Sequence, residues 1–308
     1  MSDYPTTVLE LRDQFADEAA CRQYLAQLRW PEGFVCPRCQ NRGAWMTARG
    51  LYHCQQCDHQ TSVTAGTLCA DTNLPLRLWF EAIWQVTNQK YGASALGLQR
   101  ILGLGSYRTA WNWLHKLRRA MVRPDRDRLA GTVEVDEVYL GGERPGKRGR
   151  GAAGKALVLV IAQADGDHIG RIRLARIADA SKATLTVAVR ASAELTTQVL
   201  TDAWDGYAGL AAEGYIHHVV RSRALVGENL LPRANRVASL LQRWLLGTHQ
   251  GAVAHSHLDY YLDEFTFRFN RRTSRSRGLL FYRLLEHAVA LDPVLTRSLI
   301  GGRVGPKP

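Results

Sequence analysis

Apolar and polar residues follow two different periods along this chain, and the change falls near residue 131. From 75 to 122 the apolar residues recur every three or four positions, which is the spacing of one buried helix face. The first helix of this block is expected to bury five residues on one face: Leu76, Trp79, Phe80, Ile83 and Trp84. Upstream, residues 1–30 have the pattern of one or two short helices. The first part of the chain is therefore predicted to be helical.

The next two predicted helices, Ser94 to Leu102 and Ser106 to Met121, are separated by a short glycine turn. Serine is a favoured residue at the start of a helix, and a helix pair with this connection is the helix-turn-helix pattern. The second helix of the pair is expected to bury Trp111, Leu114 and Leu117 and to expose Arg108, Lys116, Arg118 and Arg119. A basic exposed face suits a DNA groove, although helix pairs with a glycine turn are common in other proteins.

Beyond residue 131 the period changes to that of β-strands. The segment 132–140, TVEVDEVYL, alternates, and 156–162, ALVLVIA, is continuously apolar as in a strand buried on both faces. The pattern predicts strands at 132–140, 156–162 and 170–176, a helix at 181–191, a strand at 197–202, a short helix at 206–212, a strand at 215–221 and two closing helices. This order predicts an α/β fold with a sheet of the ribonuclease H type.

Four cysteines form two C-x-x-C pairs, Cys36 with Cys39 and Cys54 with Cys57, separated by fourteen residues. Two such turns at this separation present four thiolates to one tetrahedral Zn²⁺. Disulfides or free thiols are the alternative, but nothing in the sequence suggests export to an oxidising compartment. We therefore predict a zinc ribbon with one structural Zn²⁺.

The net charge of +12 and the pI of about 9.7 indicate a polyanionic partner, most often nucleic acid. A solvated basic surface without a partner is the alternative. No run of 18 apolar residues is present, so no membrane span is predicted, and a cytoplasmic protein is expected. The remaining cysteines, Cys21 and Cys69, lack ligand spacing and are interpreted as structural.

Two aspartates on predicted strands are candidates for metal chemistry. Asp136 lies within the first strand among valines, and Asp202 ends the fourth. In a sheet whose first and fourth strands are neighbours, both carboxylates lie at the same place, where they suit Mg²⁺. Two such ions about 4 Å apart stabilise the attacking and leaving oxygens of a phosphodiester. Taken singly, Asp136 as an exposed strand acid and Asp202 as a turn residue are the simpler interpretations.

Several segments together resemble the zinc-ribbon DDE transposases of bacterial insertion sequences, the ISXO2-like class. They are CPRC…YHCQQCDHQTSVTAGT, SALGLQRILGLGSYRTAWNWLHKLRRAM, VEVDEVYLGG, TDAWDGY, VASLLQRWLLGTHQG and YLDEFTFRFNRR, and they span nearly the whole chain. The resemblance implies a ribonuclease H-like catalytic domain, with Asp136 and Asp202 as the first two ligands of catalytic Mg²⁺ or Mn²⁺.

The resemblance places a third ligand near the start of a later helix, matched here by 234–247, and the matching residue is Asn235. The wider superfamily favours glutamate there, while this family accepts asparagine or histidine. An amide oxygen binds Mg²⁺ without adding charge. Glu228 and then Glu264 rank after Asn235 as alternatives. Relatives tend to carry lysine where this chain has Gln242.

Basic segments beside a phosphodiester site suit phosphate contacts, although such segments are usually only solvated. The predicted DNA-contacting residues are Arg108, Lys116 and Arg119 on the third helix, Arg148 and Arg150 in a basic glycine-rich loop, Gln242 and Arg243 on the later helix, and Arg271 and Arg272 in FRFNRRTSRSR.

The expected organisation is an N-terminal helical segment (1–30), a zinc ribbon (31–70), a helix-turn-helix-like domain (71–125), a ribonuclease H-like catalytic domain (130–292) and a tail (293–308). The expected function is that of a transposase that binds double-stranded DNA at the ends of its own element and cleaves and joins strands. A catalytically weakened DNA-binding relative, such as a repressor, is the alternative, and a zinc-ribbon component of transcription machinery is a third. The resemblance also implies a homo-oligomer on DNA.

Overall fold

The computed structural model describes residues 4–122, 126–141, 155–220, 229–251, 253–294 and 296–300. The helices are α1 Val8–Gln14, α2 Glu18–Arg29, α3 Leu76–Asn88, α4 Ala95–Leu102, α5 Tyr107–Ala120, α6 Lys182–Ser192, α7 Pro232–His249, α8 Leu258–Phe269, α9 Arg277–Ala290 and α10 Thr296–Ile300. The strands are β1 Ala44–Met46, β2 Tyr52–Cys54, β3 Gln60–Thr61, β4 Thr132–Leu140, β5 Ala156–Asp165, β6 His168–Ile177, β7 Gln198–Thr201 and β8 Ile216–Val219.

The described residues form two compact units. One contains those within 1–123 and 274–301, and the other contains those within 124–273. In the first unit, β1, β2 and β3 form a small antiparallel sheet, and the helices pack around a core of aromatic rings. All five residues predicted for the buried face of α3 are buried.

Helix α9 belongs to the first unit, whereas the sequence assigned residues up to 292 to the catalytic domain. It packs against α2 and α3, and Phe281 is fully buried with its ring 5.7 Å from that of Phe80. The apolar face of α9 has the same period as that of any amphipathic helix. Its partner therefore depends on the path of the chain after residue 273.

The helix-turn-helix expected from the sequence is present as α4 and α5. Ser94 and Ser106 both occupy the capping position and accept a hydrogen bond from the first turn of their helix. Gly103 ends α4 in the left-handed conformation at φ +63°, which glycine adopts without steric cost.

The second unit contains a five-stranded sheet in the order β6-β5-β4-β7-β8. Neighbours among β4, β5 and β6 are antiparallel, while β7 runs parallel to β4 and β8 parallel to β7. This is the ribonuclease H arrangement that the order of elements predicted. The predicted strand at 170–176 is longer, and the predicted helix at 206–212 is two short 3₁₀ turns, Asp205–Tyr207 and Ala211–Glu213.

Helices cover both faces of this sheet, which explains the continuous apolar run of β5. Val158 and Val160 pack against α7 and α8 on one face, while Leu157, Leu159 and Ile161 pack against α6 on the other. Along β4 the residues alternate, so Asp136 shares the α7 face with Val138. In the described part of the chain, no helix is both long enough and apolar enough to span a membrane.

Candidate active site and zinc centre

The four predicted zinc ligands lie together in the ribbon. Their sulfur atoms are all within 4.8 Å of one another, with Sγ–Sγ distances of 3.7 Å for Cys36 and Cys57 and 3.5 Å for Cys39 and Cys54. Zn–S bonds of about 2.3 Å in a tetrahedron separate neighbouring sulfurs by about 3.8 Å, so the arrangement fits Zn²⁺. No other close group of three His, Cys, Asp or Glu ligands occurs among the described residues.

Backbone hydrogen bonds favour the thiolate form of Cys36 and Cys54, and both pKa values are lowered. Burial acts to raise the pKa of the Cys54 thiol, but hydrogen bonds from the N–H groups of Gln56 and Cys57 outweigh it and lower the pKa to about 6. By contrast, burial raises the pKa of both Cys21 and Cys69 to about 12. These two residues are buried thiols, as expected of structural cysteines.

Asp136 lies on β4, and Asp202 directly follows β7, the parallel neighbour of β4. The register of β4 and β7 ends with Glu134 opposite Leu200, and Asp136 and Asp202 each lie two residues further along their chain segments. Adjacent strands are about 4.8 Å apart, which places two carboxylates within reach of one metal site. The sequence argument required the first and fourth strands of this sheet to be neighbours, and β4 and β7 are neighbours.

Each aspartate is held by a backbone hydrogen bond. The N–H of Glu137 donates to Asp136 Oδ1 at 2.8 Å, and the N–H of Trp204 donates to Asp202 Oδ1 at 3.1 Å. The buried Tyr207 lies among these acids. Burial, followed by the charges of Glu137, Asp136 and Asp202, raises its pKa, so the phenol stays protonated.

The segment TDAWDGY holds Asp202 against the loop that precedes α6. The indole N–H of Trp204 donates to the carbonyl of Ala180 at 2.8 Å. A Cβ atom at Gly206 would lie 2.5 Å from that same carbonyl oxygen, so only glycine fits. These contacts fix the backbone that follows the aspartate.

Asn235 lies in the first turns of α7, as the sequence predicted for the third site residue. Its side-chain amide donates to Asn229 Oδ1 at 2.7 Å. The beginning of α7 is joined to β4 because the N–H groups of Arg233 and Ala234 donate to the Glu134 carboxylate. The start of α7 therefore lies at the strand that carries Asp136.

Comparison with known proteins identifies the family of this chain. Residues 128–270 match the ISXO2-like transposase domain, and residues 16–60 match the transposase zinc-ribbon domain. A protein of the transposable element ISH50 from Halobacterium salinarum is 30% identical over 277 residues, which cover 82% of this chain and 91% of that protein. The chain belongs to the ISXO2-like transposase family.

Of the two alternatives for the third metal ligand of this transposase, the structure describes Glu264. Glu264 is fully buried on α8, and its carboxylate lies 3.5 Å from the guanidinium of Arg268. Helix α8 packs against β6, which β5 separates from β4. Glu228 lies outside the described residues.

The basic face of α5 in the transposase is smaller than the sequence predicted. Arg108 and Arg119 are exposed, but Arg118, expected to be exposed, is only 1% exposed because it points into the core of the first unit. Lys116 is half-buried, with its ammonium 5.9 Å from the centre of the Trp79 ring, and burial lowers its pKa. Trp113 is buried, while Trp111 is only partly so. A helical period alone does not distinguish a long basic side chain that is exposed from one that is buried.

The other predicted DNA contacts of the transposase also differ in their surroundings. Gln242 and Arg243 are exposed on α7. Arg271 lies over the ring of Phe267 at 4.1 Å, and Arg272 donates to backbone carbonyls, including that of Gly170 at 3.3 Å. The guanidinium of Arg272 thus joins the end of α8 to β6. Arg148 and Arg150 lie outside the described residues.

Sequence reasoning missed the residues that support the aspartates. Glu134, Glu137, Trp204 and Tyr207 were not among the predicted site residues. The signal was present for Glu134, since a carboxylate between two valines of a central strand needs a partner. The identity of that partner, the start of α7 about 100 residues later, is visible only in the structure.

Proposed function

We propose that this transposase binds the ends of its own DNA element and catalyses metal-dependent strand cleavage and strand transfer into target DNA. The observation that carries the proposal is that β7 runs parallel beside β4, so that Asp202 follows Leu200 by the same two residues by which Asp136 follows its partner Glu134. Family membership supports a transposase, and the paired acids support the specific chemistry. An assay of strand transfer on DNA that carries the element's ends tests it.

The candidate site fits Mg²⁺ or Mn²⁺ in its donor set. Asp136 and Asp202 supply carboxylate oxygens, and Asn235 supplies an amide oxygen at the start of α7. These are the hard oxygen donors that Mg²⁺ prefers. The three residues would hold the metal, and the two negative charges offset part of its positive charge.

When bound, the metal would activate water and stabilise the charge that develops on the phosphodiester oxygens. The protein's own residues orient the ligands. The backbone N–H groups of Glu137 and Trp204 each fix one carboxylate oxygen. The same site would serve the second step, in which the freed 3′-hydroxyl attacks a target phosphate.

The net charge of +12 supports DNA as the partner. Of the exposed arginines of α5, Arg108 lies in the first turn after the glycine turn, where a recognition helix begins, and Arg119 lies in the last turn. Because two DNA ends must be brought together for transposition, we propose that a homo-oligomer assembles on the DNA.

Replacing Arg108 and Arg119 together with alanine is expected to weaken DNA binding and its salt dependence. Each phosphate contact contributes about 0.9 to the slope of log affinity against log salt concentration. The slope of the double variant should therefore be smaller in magnitude by about 1.8. Fluorescence anisotropy of duplex DNA across a salt series measures this slope. Arg77→Ala, an exposed arginine on α3 outside the helix pair, is the matched control. An unchanged slope in the double variant would exclude α5 as the binding face.

Replacing Asn235 with alanine is expected to lower the cleavage rate by roughly 100-fold, because one oxygen ligand and its orientation are lost. Asn235→Glu should retain or raise activity, since a carboxylate restores the oxygen and adds charge. Gel assays of end cleavage measure both. Ser239→Ala, an exposed position one turn later on α7, is the control and should be silent. A silent Asn235→Ala together with an inactive Glu228→Ala would assign the third ligand to Glu228 instead.

The second candidate function is that of a DNA-binding relative with weakened catalysis. Two observations favour it: the neutral Asn235 in the metal site and Gln242 where relatives tend to carry lysine. The two functions predict the same DNA binding but different chemistry. Absence of cleavage with both Mg²⁺ and Mn²⁺ on the element's ends, with binding intact, would support the second.

A further inference from the structure

Glu134 is a buried carboxylate in the middle of β4, only 2% exposed. It accepts three hydrogen bonds from the start of α7. The backbone N–H groups of Arg233 and Ala234 donate at 2.6 Å and 2.9 Å, and Arg233 Nη1 donates at 3.0 Å. The negative charge is therefore neutralised by one guanidinium and by the first turn of a helix.

These bonds replace the missing cap of α7. The residue before the helix is Leu231, whose side chain makes no capping bond, and Pro232 occupies the start of the helix. The next N–H groups, those of Arg233 and Ala234, have no acceptor within the helix. A carboxylate from a distant strand supplies that acceptor, and a negative charge is favoured at the positive end of the helix dipole.

The position of Glu134 links this cap to the metal site. Glu134 and Asp136 are two residues apart on the same strand face, a separation of about 6.7 Å. On the helix, Asn235 directly follows Ala234, whose N–H binds Glu134. One short stretch of β4 thus carries both the first aspartate and the acceptor for the helix that presents Asn235.

We propose that Glu134 is a positioning residue that sets the distance between Asp136 and Asn235. This inference rests on the proposed function, since it concerns the same metal site. Glu134 acts through the backbone of α7, and its carboxylate is occupied by the three donors named above. Moving the helix along its axis would break those bonds before it moved Asn235 away.

Arg233 fixes the same helix end in a second direction. Its guanidinium also donates to the carbonyls of Gly166 at 2.8 Å and His168 at 3.3 Å, at the turn between β5 and β6. The start of α7 is therefore held by the central strand and by the adjacent hairpin. Two separate attachments define a position, whereas one would allow rotation.

Glu134→Gln tests the inference without DNA. The glutamine keeps the size of the side chain but loses the charge and faces Arg233 with a donor group. We expect the Kd for Mn²⁺, measured from the free-ion electron paramagnetic resonance signal, to rise about 10-fold or more. Hydrogen exchange of the amides at 233–236 should also become faster. Wild-type values for both would overturn the inference.

A matched variant separates positioning from general destabilisation. Leu241→Ala removes a fully buried side chain farther along α7 and should lower the Tm. Because it leaves the start of the helix attached, its Kd for Mn²⁺ should stay within about twofold of wild type. An equal loss of Mn²⁺ affinity in Leu241→Ala would show that Glu134 acts only through stability. If Glu134→Gln does not fold, Glu134→Asp, which keeps the charge and shortens the side chain, replaces it.

A double variant tests whether Glu134 acts through Asn235. In Glu134→Gln with Asn235→Ala, cleavage should be no slower than in Asn235→Ala alone, because the positioned group is already absent. If the loss of cleavage rate in the double variant equals the product of the losses in the two single variants, the inference is overturned. If the wild-type protein binds Mn²⁺ but cleaves no DNA, the proposed function fails, while the Mn²⁺ and hydrogen-exchange measurements still decide the role of Glu134.

Discussion

Replacing Asp136 or Asp202 with alanine is expected to lower the rate of strand cleavage by at least about 10³-fold. Each substitution removes one of the two charged oxygen ligands of the proposed site. Metal-assisted stabilisation of the phosphodiester transition state is worth several kcal/mol, and about 4 kcal/mol corresponds to this factor. Cleavage of labelled DNA ends under single-turnover conditions measures the loss.

Binding of DNA by these two variants should stay near that of wild type, because neither carboxylate belongs to the basic surface. Folding should also survive, since removing one of two adjacent negative charges relieves their repulsion. Asp205→Ala is the matched control, an exposed acid three residues after Asp202 in the same segment. Substantial cleavage by Asp136→Ala, or a comparable loss in Asp205→Ala, would contradict this assignment of the site.

Replacing Cys36 with serine is expected to abolish zinc binding and unfold the ribbon. Wild-type protein should hold about one Zn²⁺ per chain, and the free energy of structural zinc binding is about 10–16 kcal/mol, which such a small element uses to fold. The ribbon strands are two or three residues long, so they offer little core of their own. Metal analysis of the purified variant, together with limited proteolysis within residues 31–60, measures both effects.

Cys69→Ala is the control for this experiment. Cys69 is a buried thiol outside the cluster, so its removal should lower stability but leave the zinc content at about one per chain. Full zinc content in Cys36→Ser would show that the four sulfurs do not form the metal site. A zinc loss in Cys69→Ala would show that metal content merely follows stability.

Much of the candidate chemistry follows from local sequence. The spacing of Cys36, Cys39, Cys54 and Cys57 predicted the cluster because short C-x-x-C turns present their sulfurs through local backbone geometry. The strand TVEVDEVYL was predicted with its observed bounds, since its alternation is a local property. The two helices with serine caps, α4 and α5, were predicted for the same reason.

The tertiary structure decided everything that depends on which elements are neighbours. It placed β7 beside β4, so that Asp202, directly after β7, follows the strand next to the one that carries Asp136. It buried Arg118, whose place on α5 gave no indication of its neighbours, and it packed α9 against α2 and α3. It also joined Glu134 to Ala234. Periodicity determines which face of an element is apolar, but the contact between residues 100 positions apart is set by the path of the whole chain.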